Sequence, residues 1–201
     1  MSGYHQFCGL AVALDVIGDR WNLLIVRELL IEPRRFRQLR ASLPGVASNL
    51  LTARLRTMEE AGIVSRTDEA GKKAVVYSLT PRGAQLREPV FALIRWGAGF
   101  MTDGPRDGDT VRGEWVGLAA EALLPPGPQI RASATVDENS SLVRVEFGAE
   151  SAEERAVLDG PPAAVLGALA GALPIAALVQ RGGSIDDPDD LLGRARSGIL
   201  S

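Results

Sequence analysis

Apolar residues mark out four early segments. Leu10, Val12, Leu14, Val16 and Ile17 mark the first, which ends at Gly18-Asp19. Asp19 is expected to cap a second helix where Trp21, Leu24, Ile25, Glu28 and Leu29 follow at helical spacing, with Pro33 as its stop signal. Phe36, Leu39 and Leu43 predict a short third helix, broken at Pro44-Gly45. The fourth covers 48–61, where Leu51, Leu55 and Met58 recur at i, i+4 and i+7 and face a core. That spacing leaves Asn49, Thr52, Ala53 and Arg56 on the opposite side. After Gly62 the pattern changes period: 63–67 and 74–79 read as two strands, with the polar tip 68–73 displaying Lys72 and Lys73. Residues 81–101 form one further amphipathic helix with Leu86, Val90, Leu93, Ile94 and Gly97 along it.

The second half has a different grammar. Residues 114–124 predict a helix with Trp115, Leu118, Ala119, Ala122 and Leu123 as its stripe, stopped by Pro125-Pro126. Alternation over 129–137 and 142–147 predicts a hairpin with one wet face, and 155–159 a third strand. Helices at 163–173 and 175–180, a short strand at 183–186 and a last helix at 188–199 complete the order. Between the halves, Asp103-Gly104-Pro105-Arg106-Asp107-Gly108-Asp109 is polar and turn-rich, and reads as a linker. The fold class is α+β, with an N-terminal domain at 1–102 and a small α/β domain at 110–201.

Charge sharpens the division. The whole chain has a formal charge of −3, yet residues 1–102 carry +5 and residues 103–201 carry −8. Between Arg34 and Arg56 stand six arginines and no acid, so this stretch is either a solvated face or meets a polyanion. Two helices joined by a tight Gly-containing turn fit a helix-turn-helix, and a cationic hairpin after the second makes a wing. Short polar side chains (Ser48, Asn49, Thr52) suit base edges, while Arg34, Arg35, Arg54, Arg56, Lys72 and Lys73 suit phosphates.

One cysteine and one histidine exclude a disulfide framework and a Cys/His metal cluster, and no metal or cofactor is expected. His5 near a chain end makes a serine–histidine–acid site improbable, and no enzymatic motif is present. The start lacks a basic n-region followed by an apolar h-region, so a cytoplasmic protein is expected. Residues 161–179 contain no charged or polar side chain across 19 positions. Pro161, Pro162 and Pro174 interrupt that stretch, so it is not read as a membrane span. Cys8 is read first as a small buried hydrophobe, with a thiol sensor as the alternative, His5 favouring the thiolate.

Several of these residues fall into family motifs. Gly18-Asp19-Arg20-Trp21, Arg35-Phe36-Arg37-Gln38-Leu39, Asn49-Leu50-Leu51-Thr52, Glu59-Glu60-Ala61-Gly62 and Leu79-Thr80-Pro81-Arg82-Gly83 resemble the HxlR family of MarR-like winged-helix regulators. The resemblance runs from residue 8 to about 101 and implies a sequence-specific DNA-binding regulator, a repressor more often than an activator. It implies a homodimer built from the first helix and the helix at 81–101, meeting an inverted-repeat operator. It also makes 35–42 the first helix of the motif and 47–61 the recognition helix. Many relatives carry Ser where this chain has Ala47, so Ser48 is expected to cap one residue later. Some relatives use a cysteine at the place of Cys8 as a thiol switch. The order of elements over 112–201 resembles the sterol carrier protein type-2-like fold, which implies an apolar cavity and control by an apolar small-molecule effector. The alternative function is a lipid-carrier or protein-assembly module whose winged helix contacts protein.

Overall fold

The computed structural model describes residues 3–68, 75–101, 105–124, 130–137, 142–149, 155–188 and 190–193. The chain divides into two units, residues 1–90 and 91–201. The division falls earlier than the polar run at 103–109.

The first unit follows the predicted order with shifts at its junctions. Helix α1 spans Gly9–Ile17 and α2 spans Asn22–Ile31. Asp19 does not cap α2. Its backbone carbonyl accepts from the Asn22 N–H (3.1 Å), and the N-cap is Trp21, whose φ of 83° is left-handed. The Arg20 guanidinium lies 5.3 Å over the Trp21 ring. A two-residue strand not evident from the pattern, β1 (Arg34–Arg35), follows Pro33. Helix α3 (Phe36–Ser42) begins where the Gln38 side chain accepts from the Arg35 N–H at 2.8 Å. Gly45 adopts φ 85° in the turn before α4 (Ser48–Glu60), a conformation that costs glycine nothing.

Strands β2 (Val64–Asp68) and β3 (Val75–Leu79) pair antiparallel, with Ser65 opposite Ser78 and their hydroxyls 2.8 Å apart. β1 joins the free edge of β3, giving the order β1-β3-β2. Thr80 closes the hairpin base: its hydroxyl donates to the Gly62 carbonyl at 2.6 Å and accepts from the Gly83 N–H at 3.0 Å, capping α5 (Pro81–Ala84). The single helix expected over 81–101 is therefore two, with α6 (Arg87–Ala98) starting after a turn at Gln85 and Leu86. Pro89 explains the break, because its ring excludes the carbonyl four residues earlier from a continuous helix.

An ion pair is buried within this unit. Glu28 on α2 is fully buried, and the Arg34 Nε lies 3.6 Å from its Oε2. Arg27 donates to the other Glu28 oxygen at 2.7 Å. β1 is thus tied to α2 by charge and to β3 by backbone pairing.

The second unit builds α7 (Gly113–Leu123), then the antiparallel meander β4 (Ile130–Val136), β5 (Val143–Ala149) and β6 (Arg155–Gly160). Helices α8 (Pro162–Leu169) and α9 (Ala176–Gln180) precede β7 (Ser184–Asp186), which pairs antiparallel with β6. On β5, Val143, Val145 and Phe147 are buried while Arg144 and Glu146 face water, as the alternation required. Their partners in the core include Val116, Leu123, Leu158, Val165, Leu169 and Leu178. On the wet face, Arg144 stands opposite Asp159 and pairs with it at 2.7 Å. α7 lies close on the sheet because it presents glycines. A Cβ on Gly113 would meet the Ala134 carbonyl oxygen at 2.6 Å. The expected last helix is described only at its first turn, where Asp187 accepts from the Leu191 and Leu192 N–H groups at 2.7 and 3.0 Å.

Removing one partner of the buried pair leaves an uncompensated charge. Glu28→Ala is expected to cost the first unit about 3–5 kcal/mol, whereas Glu59→Ala on the exposed side of α4 costs under about 0.5 kcal/mol. Urea unfolding read from Trp21 alone, with Trp96 and Trp115 replaced by Phe, measures both. Equal effects would show that the pair carries no stability.

Candidate nucleic-acid interface

The arrangement of α4 begins with its buried stripe. Leu51, Leu55 and Met58 are 0–2% exposed, and burying each such side chain stabilises the fold by roughly 1.5–3 kcal/mol. That burial turns Asn49, Thr52, Ala53 and Arg56 outward, and all four are exposed. Ser48, half-buried, opens the helix without capping it. The N-cap is Ala47, which has no side chain able to cap, so the expectation for Ser48 is corrected. Thr52 instead donates to the Ser48 carbonyl at 2.9 Å, and the Asn49 Oδ1 accepts from the Leu50 N–H at 2.9 Å. The start of α4 therefore offers short polar side chains and backbone N–H groups at the positive end of a helix dipole.

The arginines divide into three kinds. Arg34, expected among the phosphate contacts, is buried and held by Glu28 and Glu32, so its role is to fix β1. Arg54 is four-fifths buried at its side chain and pairs with Asp19, which joins α4 to the segment between α1 and α2. Arg56 is exposed and pairs with Glu60 one turn on, at 2.9 Å. Arg35, Arg37 and Arg40 are exposed at or along α3. The pattern of the chain counted Arg37 and Arg40 but did not nominate them. It missed the partners Asp19 and Glu60, although the i+4 spacing of Arg56 and Glu60 was a readable signal. Arg66 on β2 is also exposed. Lys72 and Lys73 lie outside the described residues.

Of the residues expected at a dimer contact, Val90 is buried within its own chain, and Leu86, Ile94 and Gly97 are half-buried. Leu93 remains exposed, together with Trp96, which the pattern had not nominated. On α1, Leu10, Val12 and Leu14 are exposed, as are Tyr4 and Phe7 before it. Cys8 is exposed rather than buried and immediately precedes α1. Its thiol pKa is lowered, chiefly by the Ala11 backbone N–H and then by that of Leu10. His5, expected one helical turn before Cys8, instead precedes the helix in a left-handed conformation with φ 52°. Among the described residues no helix is long and apolar enough to cross a membrane, and no group of His, Cys, Asp or Glu is placed to hold a metal ion.

This outward polar helix after a glycine turn, with a paired hairpin behind it, is the arrangement of a winged helix-turn-helix. Comparison with known proteins agrees. The family described as HxlR-like helix-turn-helix matches residues 16–104. An HTH-type transcriptional regulator of Synechocystis sp. is 34% identical over 98 residues, which is 48% of this chain and 72% of that protein. The HTH-type transcriptional regulator YodB of Bacillus subtilis is 33% identical over 94 residues, 46% of this chain and 83% of YodB. Among solved structures, the redox regulator HypR in its oxidised form is 32% identical over 46% of this chain and 96% of HypR, with a TM-score of 0.44. The chain belongs to the HxlR-like helix-turn-helix family of DNA-binding transcriptional regulators. Each match spans about half of it.

The acid partners set a specific expectation. If Arg56 meets a phosphate, Glu60 competes with that phosphate for the guanidinium in an exposed pair worth at most about 1 kcal/mol. Glu60→Gln is therefore expected to tighten DNA binding at low salt by about twofold to fivefold. Arg35→Gln should lower the slope of log affinity against log salt by about 1, and Arg34→Gln should lower the melting temperature instead. Fluorescence anisotropy across a salt series reads these effects. A slope change for Arg34→Gln without destabilisation would contradict the assignment.

Proposed function

We propose that the protein is a cytoplasmic homodimeric repressor that reads an inverted-repeat operator with α4. The observation that carries this reading is the outward polar face of α4, opposite a fully buried apolar stripe. Ser48, Asn49 and Thr52 approach base edges in the major groove, and Arg35 and Arg56 neutralise phosphates beside them. Lys72 and Lys73, between β2 and β3 in the sequence, are assigned to phosphates of the same duplex. Arg54 holds α4 in place through Asp19 and reaches a phosphate only by leaving it.

A second copy of the chain covers the exposed apolar residues of α1 and the outward side of α6, Leu93 and Trp96. Exposed apolar residues on successive turns of α1 are unusual in a monomer and support an interface there. Two-fold symmetry then sets paired recognition helices against half-sites about one helical turn, roughly 34 Å, apart. Residues 110–201 form the effector domain, in which the meander with α7, α8 and α9 supports the sterol-carrier-like reading. An apolar effector acts by favouring one spacing of the paired helices over another. Cys8 adds thiol control, supported by its exposure and by backbone N–H groups that favour the thiolate.

Two measurements test this reading. Selection from random duplex DNA is expected to return one inverted repeat, bound by two chains of 21.3 kDa each. A single unrepeated site bound by one chain would contradict the dimer. Because the Cys8 pKa is lowered, more thiolate is present at any given pH below it. The pH midpoint for iodoacetamide labelling is expected below that of a free cysteine, and Cys8→Ser should abolish release of DNA by diamide. Release that persists in Cys8→Ser removes the thiol from the mechanism.

A further inference from the structure

The second unit contains a cavity of about 680 Å³ that no expectation located residue by residue. This volume lies within the range of small-molecule sites. Its walls come from the end of α6, from α7 and from α8, with the chain at 105–112 across one side. Phe100 and Trp115 supply aromatic wall, Leu166 and Leu173 aliphatic wall, and Ala163 and Gly167 on α8 leave room between them. The end of α6 is fixed to α7, since the Arg95 guanidinium donates to the Ala122 carbonyl at 3.0 Å. The space is thus bounded by joined elements.

Its polar lining is unbalanced in charge. Three arginines, Arg106, Arg112 and Arg181, line the cavity against one carboxylate, Asp109. Arg112 is occupied, paired with Glu114 at 3.3 Å and lying 5.7 Å over the Trp115 ring. Asp109 is occupied too, accepting the Arg106 backbone N–H at 2.8 Å. The guanidinium groups of Arg106 and Arg181 have no carboxylate partner among the described residues. An apolar chamber edged by two cations with no carboxylate partner among the described residues suits a molecule with an apolar body and one anionic end. We infer that this cavity binds an amphipathic monoanion, an apolar carboxylate or sulfonate, with its body between Trp115 and α8 and its charge on Arg106 and Arg181. This deepens the effector reading above and relies on it only for the coupling of binding to DNA release.

The test uses the full chain and a matched pair of fluorescent probes, 8-anilinonaphthalene-1-sulfonate and its uncharged relative N-phenyl-1-naphthylamine. The sulfonate is expected to bind one per chain and to be displaced by decanoate more readily than by decanol. Replacing both Arg106 and Arg181 by Ala should weaken sulfonate binding about tenfold or more while changing that of the uncharged probe by less than about twofold. Both side chains are exposed, so the fold is retained. Ala172→Trp, at an exposed lining position, should exclude both probes. Sulfonate binding that is unchanged in the arginine variant, or that survives Ala172→Trp, overturns the inference, as does absence of saturable binding. Operator binding is measured separately: a bound probe that leaves operator affinity unchanged keeps the site and removes the effector reading.

Discussion

The side of α4 that is buried decides which side can meet a nucleic acid. Leu51, Leu55 and Met58 stand at i, i+4 and i+7 and exclude water almost completely. A helix rotated enough to hide Asn49 and Thr52 would expose these three side chains at a cost of several kcal/mol. No comparable term opposes the observed rotation, because the side chains of Asn49, Thr52 and Thr57 hydrogen-bond to backbone groups of the helix itself. The functional face is therefore a consequence of core packing. On the proposed reading, specificity rests on the few polar atoms that packing leaves outside.

The same frame explains why a run of like charges performs unlike tasks. Arg34 pairs inward with Glu28, where charge separated from water must find a partner. Arg54 spans from α4 to Asp19, linking elements distant in sequence. Only Arg35, Arg37, Arg40 and Arg56 are left facing solvent, and Arg56 is paired with Glu60 one turn on.

Elements governed by periodicity were legible in the chain. The spans of α3, α4 and α7, the pairing of β2 with β3, and the meander β4-β5-β6 all follow from spacing and turn residues. What escaped reading depends on contacts distant in sequence. Nothing near Arg34 announces that it reaches Glu28 on α2, and the strand β1 exists only because β3 has an edge to pair with. The helix starts later than Asp19, so Trp21 holds the N-cap position, and Asp19 pairs with Arg54 on α4. The interruption before α6 was encoded in Pro89, yet the apolar stripe across 81–101 concealed it. In the second unit the core strands were readable, whereas a cavity is set by what fails to fill space and has no local signature.

The account stands on α4 lying in a duplex groove with its polar face toward the bases, and one mapping experiment addresses that directly. In a Cys8→Ser background, an iron chelate attached through Thr52→Cys is compared with one attached through Glu59→Cys, both bound to the selected operator. The account predicts strand cleavage from the Thr52 position at major-groove sugars of both half-sites and far weaker cleavage from Glu59. Equal cleavage from the two positions, or cleavage from Glu59 alone, would contradict it.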